Sequence, residues 1–450
     1  MENSEIIVGL DIGTTKIAVI VGRKDKYGKI EILGFSNTES IGVMRGQVAN
    51  IDKTVESIKI AIAEAEQKAG VQIGSVYVGV AGQHIKSIQH KGSIIRDNKD
   101  DVITKEDIRR LINNMRKLPM KPGEDIIHVL PQDFIIDGTG GITEPVGMMG
   151  VDVSANFHII TGHTAAIRNI EKCVQTAGLE VDGLILEPIA SSDAVLSADE
   201  KEEGVALIDI GGGTTDIAIF QNGIIRHTAV IPLGGNIITE DIKEGCSIIR
   251  TQAEALKIKF GSAVASENSD NEIVSIPGLR GRPPKEISLR NLASIVQARV
   301  EEILDCAYFE IKNSGFDKKI SLGIVLTGGG AMMKHISQLT EFISGKDVRI
   351  GYPNEHLANN VLAELANPIY ATGVGLVIKG LNDTEREAPI NKNDRKHESK
   401  VEETVESKPE NEKKKKPEVK IKEPKKPKEP KENISIIDKL RRFFDDSGVK

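Results

Sequence analysis

Residues 9–20 read GLDIGTTKIAVI, and residues 207–220 read LIDIGGGTTDIAIF. Each is an apolar run that ends in Asp, turns through glycine and threonine, and leaves through a second apolar run. β-Branched residues on both sides of a glycine turn predict a β-hairpin at each place. Such a turn can fold backbone N–H groups and hydroxyls around a phosphate, because glycine lets the anion approach the main chain. An Asp at the end of the incoming strand, Asp11 in one hairpin and Asp209 in the other, is placed to hold a hydrated Mg²⁺. One such hairpin could be an ordinary turn. Two in matching frames imply a duplicated domain whose hairpins face each other across a cleft and grip a triphosphate from both sides.

A third stretch points to the same chemistry. Residues 324–333, IVLTGGGAMM, read as a buried strand, three glycines and a helix start. Gly328, Gly329 and Gly330 would leave bare backbone for close contact with a nucleoside.

At 450 residues the chain is too long for one core, and 39% apolar content supports a globular body. It holds no run of about twenty uncharged apolar residues, so no membrane span is expected. Asp11 and Lys16 inside the first apolar stretch argue against a secretory signal. Cys173, Cys246 and Cys306 are far apart and match no metal or disulfide spacing, which points to a reduced, cytoplasmic compartment. Residues 385–433 hold 16 Lys/Arg against 13 Asp/Glu, and residues 434–450 hold four against three. They add +3 and +1 to a total of -7, so the preceding body carries -11, a poor charge for binding nucleic acid.

Along the body, short β-rich runs alternate with helical patterns, which argues α/β. Residues 55–70 read as an amphipathic helix closed by glycine, and residues 76–82 as the strand after it. Between residues 85 and 162 the pattern changes to a small inserted α+β subdomain. Its helix opens with a capping box, Thr104 with Asp107. Residues 1–84 and 163–195 make up the rest of the first half, and residues 196–381 the second. That second half contains a helical block (236–260), a smaller subdomain over roughly 237–315, and a long helix over 289–312.

From about residue 382 to 433 the chain is Lys, Glu and Pro with little to bury, so a disordered tether is expected. Residues 434–450 follow it. Ile436, Ile437, Leu440, Phe443 and Phe444 form one apolar stripe, with Lys439, Arg441 and Arg442 beside it and Ser435 with Asp438 as a capping box. A helix of about eleven residues is roughly 16 Å long, too short to span a bilayer. It is expected to lie in the interface of an anionic membrane, phenylalanines down. Five buried side chains contribute at most about 8–12 kcal/mol. Ordering the helix costs about 11 kcal/mol or more, so firm attachment requires several linked tails.

Two Asp-Gly-Thr hairpins followed by a Gly-Gly-Gly turn resemble the superfamily of actin, heat-shock chaperones and sugar kinases. Residues 11–16, 209–216 and 326–331 match its two phosphate elements and its adenosine element. Residues 184–196 and 367–376, rich in small side chains, match its two connecting helices. Within that group HVLPQDF (128–134), EPVGMMG (144–150), EALKIKFG (254–261) and GRPPK (281–285) resemble segments of the FtsA family of bacterial cell-division proteins. The likeness covers nearly all of the first 380 residues and returns in the last dozen.

The resemblance implies an actin-like duplicated ATPase fold in which a 1C-type insert replaces the usual small subdomain. It implies ATP and Mg²⁺ held by Asp11, Gly13, Thr14, Thr15 and Lys16 from one side. From the other come Asp209, Gly211, Gly212, Gly213, Thr214 and Thr215, with Gly234 and Gly235 near the nucleotide. Glu254 and Lys257 would face ribose and adenine, and Gly328, Gly329 and Gly330 the adenosine. Asp11 and Asp209 would act on the metal through water. The residue that positions water for hydrolysis is not assigned, Glu187 being one candidate, so turnover stays open.

The resemblance also implies a filament of copies of this chain, other divisome proteins on the insert, and the FtsZ tail peptide on Arg299 and Glu302, with Arg290 one face away. Two alternatives are a PilM-like pilus-assembly relative and a small-molecule kinase of the superfamily. A lipid-seeking tail argues against both.

Overall fold

The computed structural model describes residues 5–97, 101–269, 271–278, 283–354, 356–358 and 363–387. The tether from residue 388 and the expected membrane helix, with Ile436, Ile437, Leu440, Arg441, Arg442, Phe443 and Phe444, lie outside the described residues, as do Gly281 and Arg282.

Two five-stranded sheets carry the body, and their strand orders are the same. The first runs Glu180–Leu186, Ser75–Val80, Ile7–Ile12, Lys16–Lys24, Ile30–Glu39; the second runs Val348–Ile350, Ile324–Thr327, Val205–Ile210, Thr215–Gln221, Ile224–Ile231. In each, three consecutive strands pair antiparallel, and the first of them pairs in parallel with a later strand. Ile7–Ile12 and Val205–Ile210 are buried along their whole length, which is why they read as unbroken apolar runs rather than alternating ones.

The hairpin registers correct the eye. Asp11 lies opposite Ala18 and Ile12 opposite Ile17, while Asp209 lies opposite Asp216 and Ile210 opposite Thr215. The turns are therefore residues 13–16 and 211–214, so Gly13-Thr14-Thr15-Lys16 corresponds to Gly211-Gly212-Gly213-Thr214. The two Gly-Thr-Thr triplets are out of step by two residues.

Two helices cross between the sheets. The first, Glu187–Val195, carries Pro188 in its first turn, which disfavours an earlier start. Residues 184–186, expected in this helix, instead finish the strand Glu180–Leu186. The second, Ala371–Glu387, passes so close that a β-carbon on Gly375 would overlap the carbonyl of Ala190. It runs beyond the expected end of the body near Leu381, with Lys379 paired to Asp383 at 3.4 Å. Ile7, Ala18 and Ile20 of one sheet, Leu207, Ala218 and Phe220 of the other, and Val374, Val377 and Ile378 of this helix share one core.

The helix Ile51–Ala69 starts earlier than its apolar spacing implied, because the Asn50 side chain accepts from the Lys53 N–H. The insert is an antiparallel sheet in the order Lys86–Ile95, Asp152–His163, Glu124–Ile136, Thr139–Ile142. On it lies the helix Lys105–Arg116, opened by the Thr104–Asp107 capping box; Leu111 and Met115 share its core with Phe157 and Val153.

In the second half the helical block divides into Gly235–Gly245 and Arg250–Phe260, with Ser247 left-handed between them (φ 46°). The long helix spans Leu289–Asn313. The strand Ile324–Thr327 leads not into an α-helix but into the 3₁₀ turn Gly329–Met332, and the next α-helix begins only at Ile336. Among the described residues no helix is long and apolar enough to cross a membrane.

Candidate functional site

The two hairpin turns meet tip to tip. A β-carbon on Gly212 would overlap Thr15, and one on Gly213 would overlap Thr14. The first hairpin brings hydroxyls to the meeting point and the second leaves room for them. The backbone N–H of Gly46 donates to Thr14 Oγ1 at 3.1 Å and fixes that side chain.

The other predicted residues join through the second hairpin. Gly235 N–H donates to the Gly211 carbonyl at 2.9 Å and Asn236 N–H to that of Gly212 at 2.8 Å, so the Gly234–Gly235 helix start is laid on the turn. Lys257 Nζ donates to the Gly235 carbonyl at 2.9 Å, to Thr239 Oγ1 at 2.8 Å and to Glu254 Oε2 at 2.8 Å. Thr239 Oγ1 also donates to Glu254, which closes the triad. Gly328 sits at φ 82°, and a β-carbon there would overlap Asp209 Oδ1, so only glycine fits on both counts. Gly330 lies equally close to Ile210, whereas Gly329 is open apart from Ile369. Thr215, expected among the ligands, donates its hydroxyl to the Leu233 carbonyl at 2.8 Å and is fully buried.

Three participants were not anticipated. Ser191, from the first crossing helix, donates to Asp209 Oδ2 at 2.7 Å and shares a 3.0 Å hydrogen bond with Thr372 of the second. Asp216, across the hairpin from Asp209, accepts from Thr214 Oγ1 at 3.0 Å through one oxygen. Its other oxygen, Oδ1, is buried without a partner among the described residues. The clue for Asp216 lay in the hairpin itself, where an acid interrupts an apolar strand. Nothing in the sequence marked Ser191 or Thr372.

The electrostatics of the site follow from burial. Asp11 is paired with Lys16 Nζ at 2.8 Å. Burial raises the Asp209 carboxyl to about 6, against the hydrogen bond from Ser191. Burial and then the neighbouring Asp209 raise Asp216 to about 8. Glu187, the first residue of the crossing helix, is pushed well above the ordinary carboxylate range by burial, then by Asp11, Asp216 and Asp209. Four carboxyl groups thus share one ammonium group. Such a cluster is unfavourable alone and suits a hard cation with oxygen ligands, Mg²⁺ above all. The unpartnered Asp216 oxygen fits that ion, and the bare glycine backbone of the second turn fits close approach by a polyphosphate.

Arg299 and Glu302 stand apart on the long helix Leu289–Asn313. Arg299 makes a two-pronged pair with Asp241, at 2.5 and 3.1 Å, and also pairs with Glu302.

Two sheets of one order, joined by crossing helices below two opposed hairpins, make this an actin-like protein. In agreement, the fold is similar to the structure of a PilM–PilN type IV pilus biogenesis complex (TM-score 0.61, 15% identity, covering 83% of this chain and 98% of that one). It is also similar to MreB5 of Spiroplasma citri bound to ADP (TM-score 0.51, 16% identity, 85% and 99%). A family model described as cell division protein FtsA matches residues 206–375, and one described as the SHS2 domain inserted in FtsA matches residues 82–161. The cell division protein FtsA of Pseudomonas aeruginosa is 42% identical over 382 residues, 85% of this chain and 90% of that protein. That of Escherichia coli K12 is 37% identical over 384 residues, 84% and 90%. The chain belongs to the FtsA family: it is an actin homologue of cell division.

Proposed function

We propose that the cleft binds ATP with Mg²⁺ and that the loaded protein polymerises on the inner face of the cytoplasmic membrane, where it tethers FtsZ filaments. The observation that supports this most is the tip-to-tip meeting of the turns, glycines against threonines, beside four carboxyls and Lys16. Backbone N–H groups of both turns and the Thr14 and Thr15 hydroxyls would hold phosphate oxygens, with Lys16 beside them. Bound Mg²⁺ would neutralise phosphate charge. Among the described residues no three His, Cys, Asp or Glu side chains form a direct metal-binding group. Asp11 and Asp209 are accordingly assigned to the ion's water shell. Glu254 and Lys257 would border ribose and adenine, Gly328–Gly330 the adenosine, and Glu187 is the group proposed to orient a water.

The tail supplies the membrane contact, through Ile436, Ile437, Leu440, Phe443 and Phe444 with Arg441 and Arg442 at the lipid surface. The surface at Arg299 and Glu302 receives the FtsZ tail peptide, and the insert recruits other divisome proteins. One experiment separates the parts. Deleting residues 434–450 is expected to leave Mg²⁺-ATP affinity unchanged in calorimetry and to abolish flotation with anionic liposomes. Undiminished flotation removes the membrane role, and absence of ATP binding in the parent removes the nucleotide role. Arg299→Glu is expected to abolish binding of the peptide with ATP affinity intact.

A further inference from the structure

The insert belongs by chain connection to the first half, yet several polar contacts reach the second. The Arg226 guanidinium, on the edge strand Ile224–Ile231, donates to both oxygens of Asp133 at 2.6 and 3.2 Å. Gln132 Nε2 donates to the carbonyls of Ile225 and Arg226 at 3.2 and 3.4 Å. His158 Nε2 meets Thr228 Oγ1 at 3.1 Å. Gln132, Arg226 and His158 are all buried.

Asp133 and Gln132 lie on the long insert strand Glu124–Ile136, which also carries His128. The His128 Nε2 accepts from the Leu186 N–H at 2.9 Å. Leu186 ends the outer strand of the first sheet and is the cap residue of the helix that opens with Glu187. Burial holds this imidazole at about 4, so its ring is neutral and has the lone pair the bond needs. Four residues of strand, about 13 Å, separate this grip from the one at Gln132. Between them His128–Pro131 pair without interruption with Phe157–Ile160 of the strand Asp152–His163, and the register shifts fall just outside, at Ile127 and at Gln132–Asp133. This short paired ladder is the stiff part of the strand.

We propose that the strand Glu124–Ile136 is a strut that fixes how far the cleft opens. At one end His128 is a positioning residue for the helix bearing Glu187; at the other Gln132 and Asp133 hold the edge strand of the second half. Rotation of the halves about the crossing helices changes the distance from Leu186 to Ile225, and the strut resists that change. Its link to nucleotide binding rests on the function proposed above; the mechanical tie does not.

Hydrogen–deuterium exchange on the full, nucleotide-free chain tests the strut. Asp133→Arg is expected to raise exchange about tenfold both in residues 224–231 and, at the far end, in 187–195. Adding Arg226→Asp restores both segments by re-forming the pair in reverse. His128→Phe keeps the ring but removes the acceptor, and raises exchange at 186–195; His128→Gln, which keeps an acceptor, stays near the parent. If Asp133→Arg loosens 224–231 and leaves 187–195 unchanged in a chain with parental circular dichroism, the contact is local and the strut is refuted. If the charge swap fails to restore 187–195, it is refuted equally. In a second arm, Mg²⁺ with ATP protects both segments in the parent and only 187–195 in Asp133→Arg. No protection in the parent overturns the nucleotide reading, and the nucleotide-free arm still decides the strut.

Discussion

The two hairpins share strand order, register and turn length, yet they treat their aspartates in opposite ways. Asp11 is neutralised by Lys16, three residues beyond the turn's first glycine, where the second hairpin has Thr214. Asp209 has no Lys or Arg partner among the described residues and is held by hydroxyls, Ser191 and Thr372, one from each crossing helix. Opposite Asp11 stands Ala18; opposite Asp209 stands a second acid, Asp216. Duplication thus produced the frame, and divergence split the labour. The first hairpin carries its own cation and hydroxyls, and the second gathers negative charge and bare glycine backbone.

The sharpest way to break that contrast is to remove each acid in turn. Asp209→Ala is expected to weaken Mg²⁺-ATP binding by about 3 kcal/mol, because the ion loses the anionic anchor that Ser191 and Thr372 hold in place. Asp11→Ala is expected to cost only about 1 kcal/mol, since the freed Lys16 ammonium can turn to phosphate oxygens. Titration calorimetry reads both, and equal losses would show that the hairpins are interchangeable.

The tip contact comes next. Gly212→Ala places a methyl group on Thr15 and is expected to lower unfolding stability by about 1–3 kcal/mol, the usual cost of overpacking. Thr15→Gly in the same chain removes the obstacle and is expected to recover about half of it, the rest lying in glycine's extra freedom when unfolded. Denaturant midpoints that fail to recover would mean the turns do not press on each other.

Much of this was legible because it is local. Strand, Asp, glycine and strand occupy one short stretch, and β-branched runs flanking glycine admit little else. The Thr104–Asp107 box, too, needs only its own neighbours. What escaped is what distant chain segments supply. Ser191 and Thr372 reach Asp209 only because two helices cross closely at Gly375, and small polar residues in a helix carry no mark of their partner. Hairpin register hid behind the repeated Gly-Thr-Thr, since side-chain identity in a turn does not determine which residues pair across it. Gly328–Gly330 announced close backbone approach, but whether a 3₁₀ turn or an α-helix followed depended on the wall formed by Asp209 and Ile210. The insert's hold on Ile224–Ile231 was invisible because a charged pair such as Asp133–Arg226 reads, in sequence, as two surface residues.

The smallest expected effect isolates the excess charge of the second hairpin. Asp216 has its carboxyl raised from 3.8 to about 8, so between those values the folded chain holds a proton that the unfolded chain has lost. Asp209, at about 6, acts in the same sense over the lower part of that window. Stability from these groups is therefore present at acid pH and lost as pH rises towards 8. Buried histidines oppose them: His84, His128 and His158 are lowered from 6.5 to about 4, so their contribution is complete above 6.5 and is lost as pH falls towards 4. Below 6.5 the two slopes overlap and obscure each other, whereas between 6.5 and 8 the histidine contribution is constant. In metal-free buffer with chelator, Tm is expected to fall by a few degrees from pH 6.5 to 8. Asp216→Asn should flatten most of that fall, because an amide has no proton to lose, and Mg²⁺ with ATP should shrink it in the parent by compensating the carboxylate. An Asp216→Asn chain whose Tm falls as steeply as the parent's would show that the second acid is not the source, and that the two hairpins differ less in charge than in shape.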